Sequence, residues 1–177
     1  ISTVGKLESI KRIASNEVSA MGKRLRMLVL TDYIKKENLA KIASAEEFNS
    51  VNIVSIFETI RRANLNVNIG VLSGSLVILP KAIDLSDVKH KKEDIANTDY
   101  CTVEFAGALH RGVDYVGKLF EEGKIQILIG TKSLLGEGWD SPCINSLILA
   151  SFVGSFVLSN QMRGRAIRID KNDPEKS

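Results

Sequence analysis

Residues 125–150 read IQILIGTKSLLGEGWDSPCINSLILA, in which two apolar runs, 125–129 and 146–150, enclose a glycine-containing loop. A third apolar run of similar length covers residues 25–30. Such nearly continuous apolar strands are typical of parallel sheets, because both faces of those sheets are covered. Helical patterns separate the strands, which indicates crossover connections. The sequence therefore predicts an α/β fold with a mostly parallel sheet and helices on both faces.

Apolar residues spaced three and four apart predict the helices. The three clearest stripes cover residues 7–21, 53–60 and 109–120. We expect further helices over 33–43 and 156–167, a strand over 100–105 and a hairpin around Ser73-Gly74. Residues 84–98 are charged and show no apolar period, so we expect an exposed loop there, with the basic run 89–92 at its centre.

Length and composition limit the class of protein. The 177 residues fit one domain over 1–177, and 44% hydrophobic with 25% charged residues excludes a disordered tail or a coiled-coil rod. No apolar run reaches the ~18 residues of a membrane helix, so we expect no membrane partner. Cys101 and Cys143 are too few for a disulfide framework or a zinc site, which predicts a cytoplasmic protein without a metal.

The chain begins at Ile1, and we expect it to be a fragment of a longer protein. We expect residues 1–24 to form a leading helix and residues 32–98 to form an insert-like region. The net charge is +3, with eight basic and four acidic groups in residues 1–40. That excess permits a nucleic-acid contact, although a solvated helix face explains it equally well.

The loop after the strand 125–129 carries groups suited to a phosphate or a nucleotide. Hydroxyls, an ammonium and strand-end amides suit a phosphate, glycines allow close backbone approach, and a carboxylate can accept from a ribose hydroxyl. These groups belong to Thr131, Lys132, Ser133, Gly136, Gly138 and Asp140. An ordinary loop with turn glycines remains an alternative for this segment taken alone.

A second candidate segment, residues 159–168, reads SNQMRGRAIR. On a helix, Gln161, Arg165 and Arg168 share one face, and Gly164 leaves that face open to a ligand. Two adjacent guanidiniums repel unless an anion lies between them, and a polyphosphate suits their planar donors. The alternative is a solvated basic face, but Gly164 would then cost about 1 kcal/mol relative to alanine without benefit.

Together, the two segments resemble the C-terminal RecA-like lobe of superfamily two helicases and translocases. The pattern QxxGRxxR at 161–168 is similar to motif VI of that family, residues 131–142 to motif V, and residues 25–31 to motif IV. GEGWD beside QxxGRxxR most resembles restriction-enzyme motor subunits and related DEAD/DEAH-type ATPases. The resemblance covers about 25–31 and 99–170, and it implies a P-loop NTPase-like fold with three layers.

The resemblance also implies roles for the candidate residues. Arg165 and Arg168 would be catalytic arginine fingers that reach the γ-phosphate of ATP. The nucleotide would also contact Gln161, Gly164, Gly136, Gly138 and Asp140, while Mg²⁺ would be held mainly by the N-terminal RecA-like lobe of the same chain. Nucleic acid, DNA rather than RNA, would contact Thr131, Lys132, Ser133 and Thr31.

The sequence departs from the family in one important respect. It contains neither a GxxxxGK[ST] phosphate loop nor a DExx box, so we expect this chain alone not to hydrolyse ATP. One alternative is a RecA-like binding module without motor function. Another is a Rossmann-type nucleotide or methyl-donor enzyme, suggested by Gly136-x-Gly138-x-x-Ser141, although Ser141 replaces the final glycine.

Overall fold

The computed structural model describes residues 3–31, 42, 50–132, 134 and 141–150, and the backbone of 156–158. Three helices are described: α1 (Thr3–Met21), α2 (Ile53–Arg62) and α3 (Leu109–Glu121). The described strands are β1 (Met27–Thr31), β2 (Ile69–Leu72), β3 (Val77–Pro80), β4 (His90–Asp94), β5 (Tyr100–Phe105), β6 (Ile127–Thr131), β7 (Ser146–Leu149) and β8 (Phe156–Leu158). They form one α/β sheet in the order β4-β5-β3-β2-β6-β1-β7-β8.

The sheet is mixed rather than mostly parallel. The four central strands, β2, β6, β1 and β7, run parallel to one another, as the apolar runs predict. The outer strands β3, β5, β4 and β8 join by antiparallel pairing. Short connections cause this difference, because a tight turn can join only antiparallel neighbours. One such turn begins at Ser73, whose amide donates to the carbonyl of Leu76 at 2.9 Å.

The three apolar stripes form helices as predicted. The side chain of Asn52 accepts from the amide of Ser55, and the Ser55 hydroxyl accepts from the amide of Asn52, so this pair caps α2 reciprocally. Helix α3 is followed by Gly123 at φ +82°, a conformation that favours glycine. The hairpin around Ser73-Gly74 is also confirmed, as the β2–β3 pair.

Alternation along the central strands produces two hydrophobic cores. Val29 of β1 and Ile129 of β6 lie in one core together with buried residues of α1 and α2, such as Ile10 and Phe57. The residues adjacent to these in the same strands lie in a second core, together with Val116, Leu119 and Phe120 of α3. Leu30 and Leu128 are two of them. Period-two alternation therefore assigns α1 and α2 to one core and α3 to the other.

Two expectations were wrong. Residues 90–94, expected within an exposed loop, form the strand β4 at one edge of the sheet. An exposed edge strand needs no apolar face, and lysines protect such edges, so the pattern carried no strand signal. Residues 156–158, expected in a helix, form β8, because pairing with β7 overrides the local apolar spacing.

Some expectations lie outside the described residues, namely most of the helix over 33–43 and the helix over 159–167. Among the residues that the structure describes, no helix is long and apolar enough to cross a membrane.

Candidate functional site

The carboxyl ends of the four parallel strands meet at one edge of the sheet. Thr31 at the end of β1 lies in register with Thr131 at the end of β6. On the other side of β1, Leu30 is paired with Leu149 of β7. The loops that follow β6 and β7 therefore begin at the same edge, with only β1 between them. Functional loops of α/β sheets lie at such carboxyl edges.

A topological switch point lies between β1 and β6. The connection from β1 to β2 contains α2, which packs in the first core. The connection from β6 to β7 contributes Leu134, Cys143 and Ile144 to the second core, on the other side of these strands. Two neighbouring strands whose connections leave toward opposite faces open a crevice at their carboxyl ends, where α/β proteins bind ligands. Thr31 and Thr131 mark this place.

The structure describes three of the four residues predicted to contact nucleic acid. Thr31 and Thr131 are buried, with only 2% and 5% of their surfaces exposed. Lys132, which follows Thr131, is half-buried. The two threonine side chains are therefore not exposed to solvent at this edge. Ser133 lies outside the described residues.

The residues predicted to bind the nucleotide or to act on it also lie outside the described part of the chain. They are Gly136, Gly138, Asp140, Gln161, Gly164, Arg165 and Arg168. The strands that precede them in sequence are described. Strand β6, before the first segment, ends at the edge of Thr31 and Thr131, whereas β8, before the second segment, ends opposite Leu147 toward the amino end of β7.

The end of the motif V-like loop lies against the last turn of α3. Ser141 is buried, and its hydroxyl donates to Oε2 of Glu121 at 3.4 Å and lies 2.9 Å from the sulfur of Cys143. Glu121 ends α3, from which the chain enters the amino end of β6. Thr131 therefore lies at the carboxyl edge of the sheet, and Ser141 lies near its amino edge. Burial raises the pKa of the Cys143 thiol, which favours an unreactive thiol there.

Asn145 is a positioning residue that the sequence patterns did not reveal. Its Oδ1 accepts from the amide of Arg26 at 2.8 Å, and its Nδ2 donates to the carbonyl of Arg24 at 2.9 Å. Its own amide donates to the carbonyl of Arg26 at 3.0 Å. These bonds hold the start of β7 against the start of β1. The available signal was a single asparagine directly before an apolar strand, a position at which many residues occur.

Among the other buried polar groups of the described residues, Glu58 serves the fold. Glu58 is fully buried and forms ion pairs with both Arg61 and Arg62 on α2. A hydrogen bond from Arg61 to Glu58 raises the pKa of Arg61. Within the described ranges, no group of three or more His, Cys, Asp or Glu side chains could hold a metal ion.

Comparisons with protein-family models, with curated proteins and with solved structures find no match for this chain. The support for a function is therefore the pair of sequence motifs and the geometry of the carboxyl edge.

Proposed function

We propose that this chain is the second, RecA-like lobe of an ATP-dependent nucleic-acid helicase or translocase. One observation carries the proposal. The motif V-like segment follows β6 and begins beside Thr31 at the switch point between β1 and β6, the place at which α/β sheets bind ligands. The motif VI-like segment follows β8, which runs antiparallel to β7 and ends opposite Leu147, so the proposal requires residues 159–168 to return to this edge.

In this proposal Arg165 and Arg168 neutralise the charge that develops on the γ-phosphate during phosphoryl transfer. An arginine in this role contributes about 10³–10⁵ in rate, and its planar donors match phosphate oxygens. By the resemblance, Gln161 and Gly164 would contact the nucleotide beside the arginines, and Gly136, Gly138 and Asp140 would contact its ribose side. Asp140 directly precedes Ser141, which lies near the amino edge against Glu121, so that position does not support the ribose contact of Asp140. Apart from the Asp140 carboxylate, the side chains and backbone groups of this candidate site are cationic or neutral, so they fit the phosphates of ATP.

When bound with ATP, Mg²⁺ would supply positive charge that neutralises the phosphates. The described residues contain no cluster of carboxylates that would hold it. The proposal therefore assigns Mg²⁺ and most of the ATP contacts to an N-terminal RecA-like lobe of the same chain. In the proposal, residues 1–177 are a three-layer RecA-like domain with helices on both faces, and together with the N-terminal lobe they complete the site in a cytoplasmic protein.

The nucleic-acid track of the proposed lobe begins at the carboxyl edge. In the proposal, Lys132 would neutralise a backbone phosphate, and Ser133 would add a hydroxyl. Thr31 and Thr131 lie side by side at the switch point, and both are buried at the ends of their strands. Backbone contacts of this kind carry no base information, so the track accepts any sequence of DNA.

The deciding experiment substitutes the arginines in the longer protein that the proposal requires. Arg165→Ala or Arg168→Ala should lower kcat for ATP at least about a hundredfold while nucleic-acid affinity changes little, because the fingers act on the γ-phosphate. Lysine should not restore either position, since a point charge cannot copy the bidentate fork. The 177-residue chain alone should show no ATPase activity.

Normal turnover by the Arg168→Ala variant would refute the motor role. A longer protein that binds nucleic acid but hydrolyses no ATP would instead identify the lobe as a binding module. Both results are read from the same steady-state ATPase assay, with nucleic-acid binding measured by fluorescence anisotropy on the same samples.

A further inference from the structure

An open groove of about 880 Å³ lies beside the carboxyl end of β2. It is lined by the β2–β3 turn, the strands β4 and β5 and the start of α3. Leu72, one of its lining residues, is in register with Gly130, the residue before Thr131. The groove therefore adjoins the edge to which the proposed function assigns the nucleic-acid track.

The pairing of β4 with β5 decides which side chains face α3 across this groove. Lys92 lies opposite Val103, and His90 lies opposite Phe105. Val103 and Phe105 belong to the core that α3 covers, so Lys92 and His90 are on the α3 side of the sheet. Lys92 is exposed, whereas His90 is half-buried and its Nδ1 lies 2.8 Å from the carbonyl of Val88.

The same alternation places most of the acidic groups on the other face. Lys91 lies opposite Glu104, and Glu93 lies opposite Thr102, so these side chains leave the sheet on the face away from α3. Lys91, Glu93 and Glu104 nevertheless line the groove where it passes the edge of the sheet. On the α3 side, the acidic residue of β4 is Asp94 at the far end of the strand. Lys92 is therefore the cation of β4 on the α3 side of the groove, near Phe105, while Glu93 and Glu104 face Lys91 on the other side.

A second cation borders the groove from α3. Gly107 lines the groove at φ +92°, and a Cβ built on it would lie 3.4 Å from Cδ of Arg111. The Arg111 side chain thus lies over the groove wall, and it is exposed. Within the part of the chain that the structure describes, neither Lys92 nor Arg111 forms an ion pair. Two cations without a carboxylate partner therefore border one groove.

The groove also offers an apolar surface and a point of close approach. The Phe105 ring is half-buried in the groove wall, tilted against Tyr115 at a centroid distance of 5.4 Å, and Leu109 is 53% exposed beside it. Gly74, in the β2–β3 turn, does not adopt a positive φ, and a Cβ there would meet no atom within 4 Å. Internal packing therefore does not require glycine at this position, and a ligand backbone has room there.

We infer that this groove binds single-stranded nucleic acid, with backbone phosphates on Lys92 and Arg111 and a base stacked on Phe105. Single-strand binding sites combine a basic groove with an aromatic platform, and a base reaches such a platform only when it is unstacked from a duplex. The inference rests on the proposed function, because it extends the nucleic-acid track of that lobe from Lys132 across the outer strands.

The test measures binding of a fluorescein-labelled 20-nucleotide oligo(dT) to the 177-residue chain by anisotropy, over a range of KCl concentrations. The test variant is Lys92→Gln/Arg111→Gln. The matched control is Lys11→Gln/Arg12→Gln, which removes one exposed lysine and one exposed arginine from α1, the helix of the other core. All four positions are exposed, and equal urea midpoints verify that each variant is folded.

The test variant should show a log–log salt slope about 1.4 less steep than the parent chain, because each phosphate contact on a single strand contributes about 0.7. Binding at about 50 mM salt should weaken about 60-fold, since each contact contributes a factor of about eight between that concentration and 1 M. The control should match the parent chain, and duplex of equal length should bind more weakly than the single strand.

An unchanged slope in the test variant, an equal loss in the control, or tighter binding of duplex would overturn the inference. The absence of any binding by the parent chain would overturn it as well. These outcomes are separate from the test of the proposed function. If Arg165→Ala leaves ATP turnover intact while the groove variant loses oligo(dT), the motor role is wrong and the groove assignment stands. The reverse pair of results rejects the groove alone.

Discussion

Removal of the Asn145 side chain should destabilise this domain more than its half-buried position suggests. In Asn145→Ala, the amide of Arg26 loses its acceptor at 2.8 Å, and the carbonyl of Arg24 loses its donor at 2.9 Å. The part-buried amide of Arg26, left unpaired, costs about 1–3 kcal/mol, and the exposed bond to Arg24 adds about 0.5 kcal/mol. The expected loss in the free energy of unfolding is therefore about 2–3 kcal/mol.

The matched control is Asn68→Ala. The Asn68 side chain makes one exposed hydrogen bond, from Nδ2 to the carbonyl of Lys124 at 2.9 Å. Water can replace that donor, so the loss should be about 0.5 kcal/mol. Both substitutions remove the same atoms from the chain, and the difference between them isolates the contacts of Asn145 with the start of β1.

Urea denaturation followed by circular dichroism measures both effects. With a denaturant slope of about 2 kcal/mol/M, the midpoint should fall by about 1–1.5 M for Asn145→Ala and by about 0.25 M for Asn68→Ala. Equal midpoints for the two variants would refute the reasoning, because the asparagine before β7 would then not hold that strand against β1. The position of the segment that follows β7 would need another explanation.

Two further perturbations test other parts of the structure. Burial and a 2.6 Å hydrogen bond to Asp87 raise the pKa of Tyr115 to about 12. The folded protein holds the phenolic proton of Tyr115 more tightly than the unfolded chain does. The stability that this proton contributes should therefore be complete below pH ~10 and be lost between pH ~10 and 12. Tyr115→Phe should reduce that loss when urea titrations at pH 8 and 11 are compared. Gly123→Ala places a Cβ on a residue at φ +82°, beside the guanidinium of Arg26, and should lower the free energy of unfolding by about 1–2 kcal/mol. Gly74→Ala, in open space, should change it by less than about 0.5 kcal/mol, and equal effects at the two glycines would contradict this account.

The helices were predictable from the sequence because their signal is local. The stripes at 7–21, 53–60 and 109–120 each repeat with the helical period, and one buried face per helix is sufficient to produce it. The central strands β1, β6 and β7 were predictable for a related reason, since burial on both faces requires nearly every residue to be apolar. Periodicity therefore identified the elements that supply most of the two cores.

The same reasoning failed where an element is stabilised by pairing alone. Strand β4 carries His90, Lys91 and Lys92 at an exposed edge, and its partner β5 supplies the hydrogen bonds that its own side chains do not indicate. Strand β8 has apolar residues that fit a helix as well as a strand, and its pairing with β7 decides between them. Such pairings join residues through the backbone, which has the same donors and acceptors at almost every position.

The sequence by itself determined the α/β class, the three described helices, the apolar central strands and the two motifs from which a helicase-type function is proposed. Tertiary structure decided the strand order, the antiparallel outer strands and the neighbourhood of Thr31 and Thr131. The physical reason is the range of the interactions. Hydrophobic periodicity records how each segment meets the core, whereas strand order depends on contacts between distant segments, which no local pattern specifies. The groove bordered by Lys92 and Arg111 belongs to this second class, since only the pairing of β4 with β5 brings a charged strand beside the start of α3.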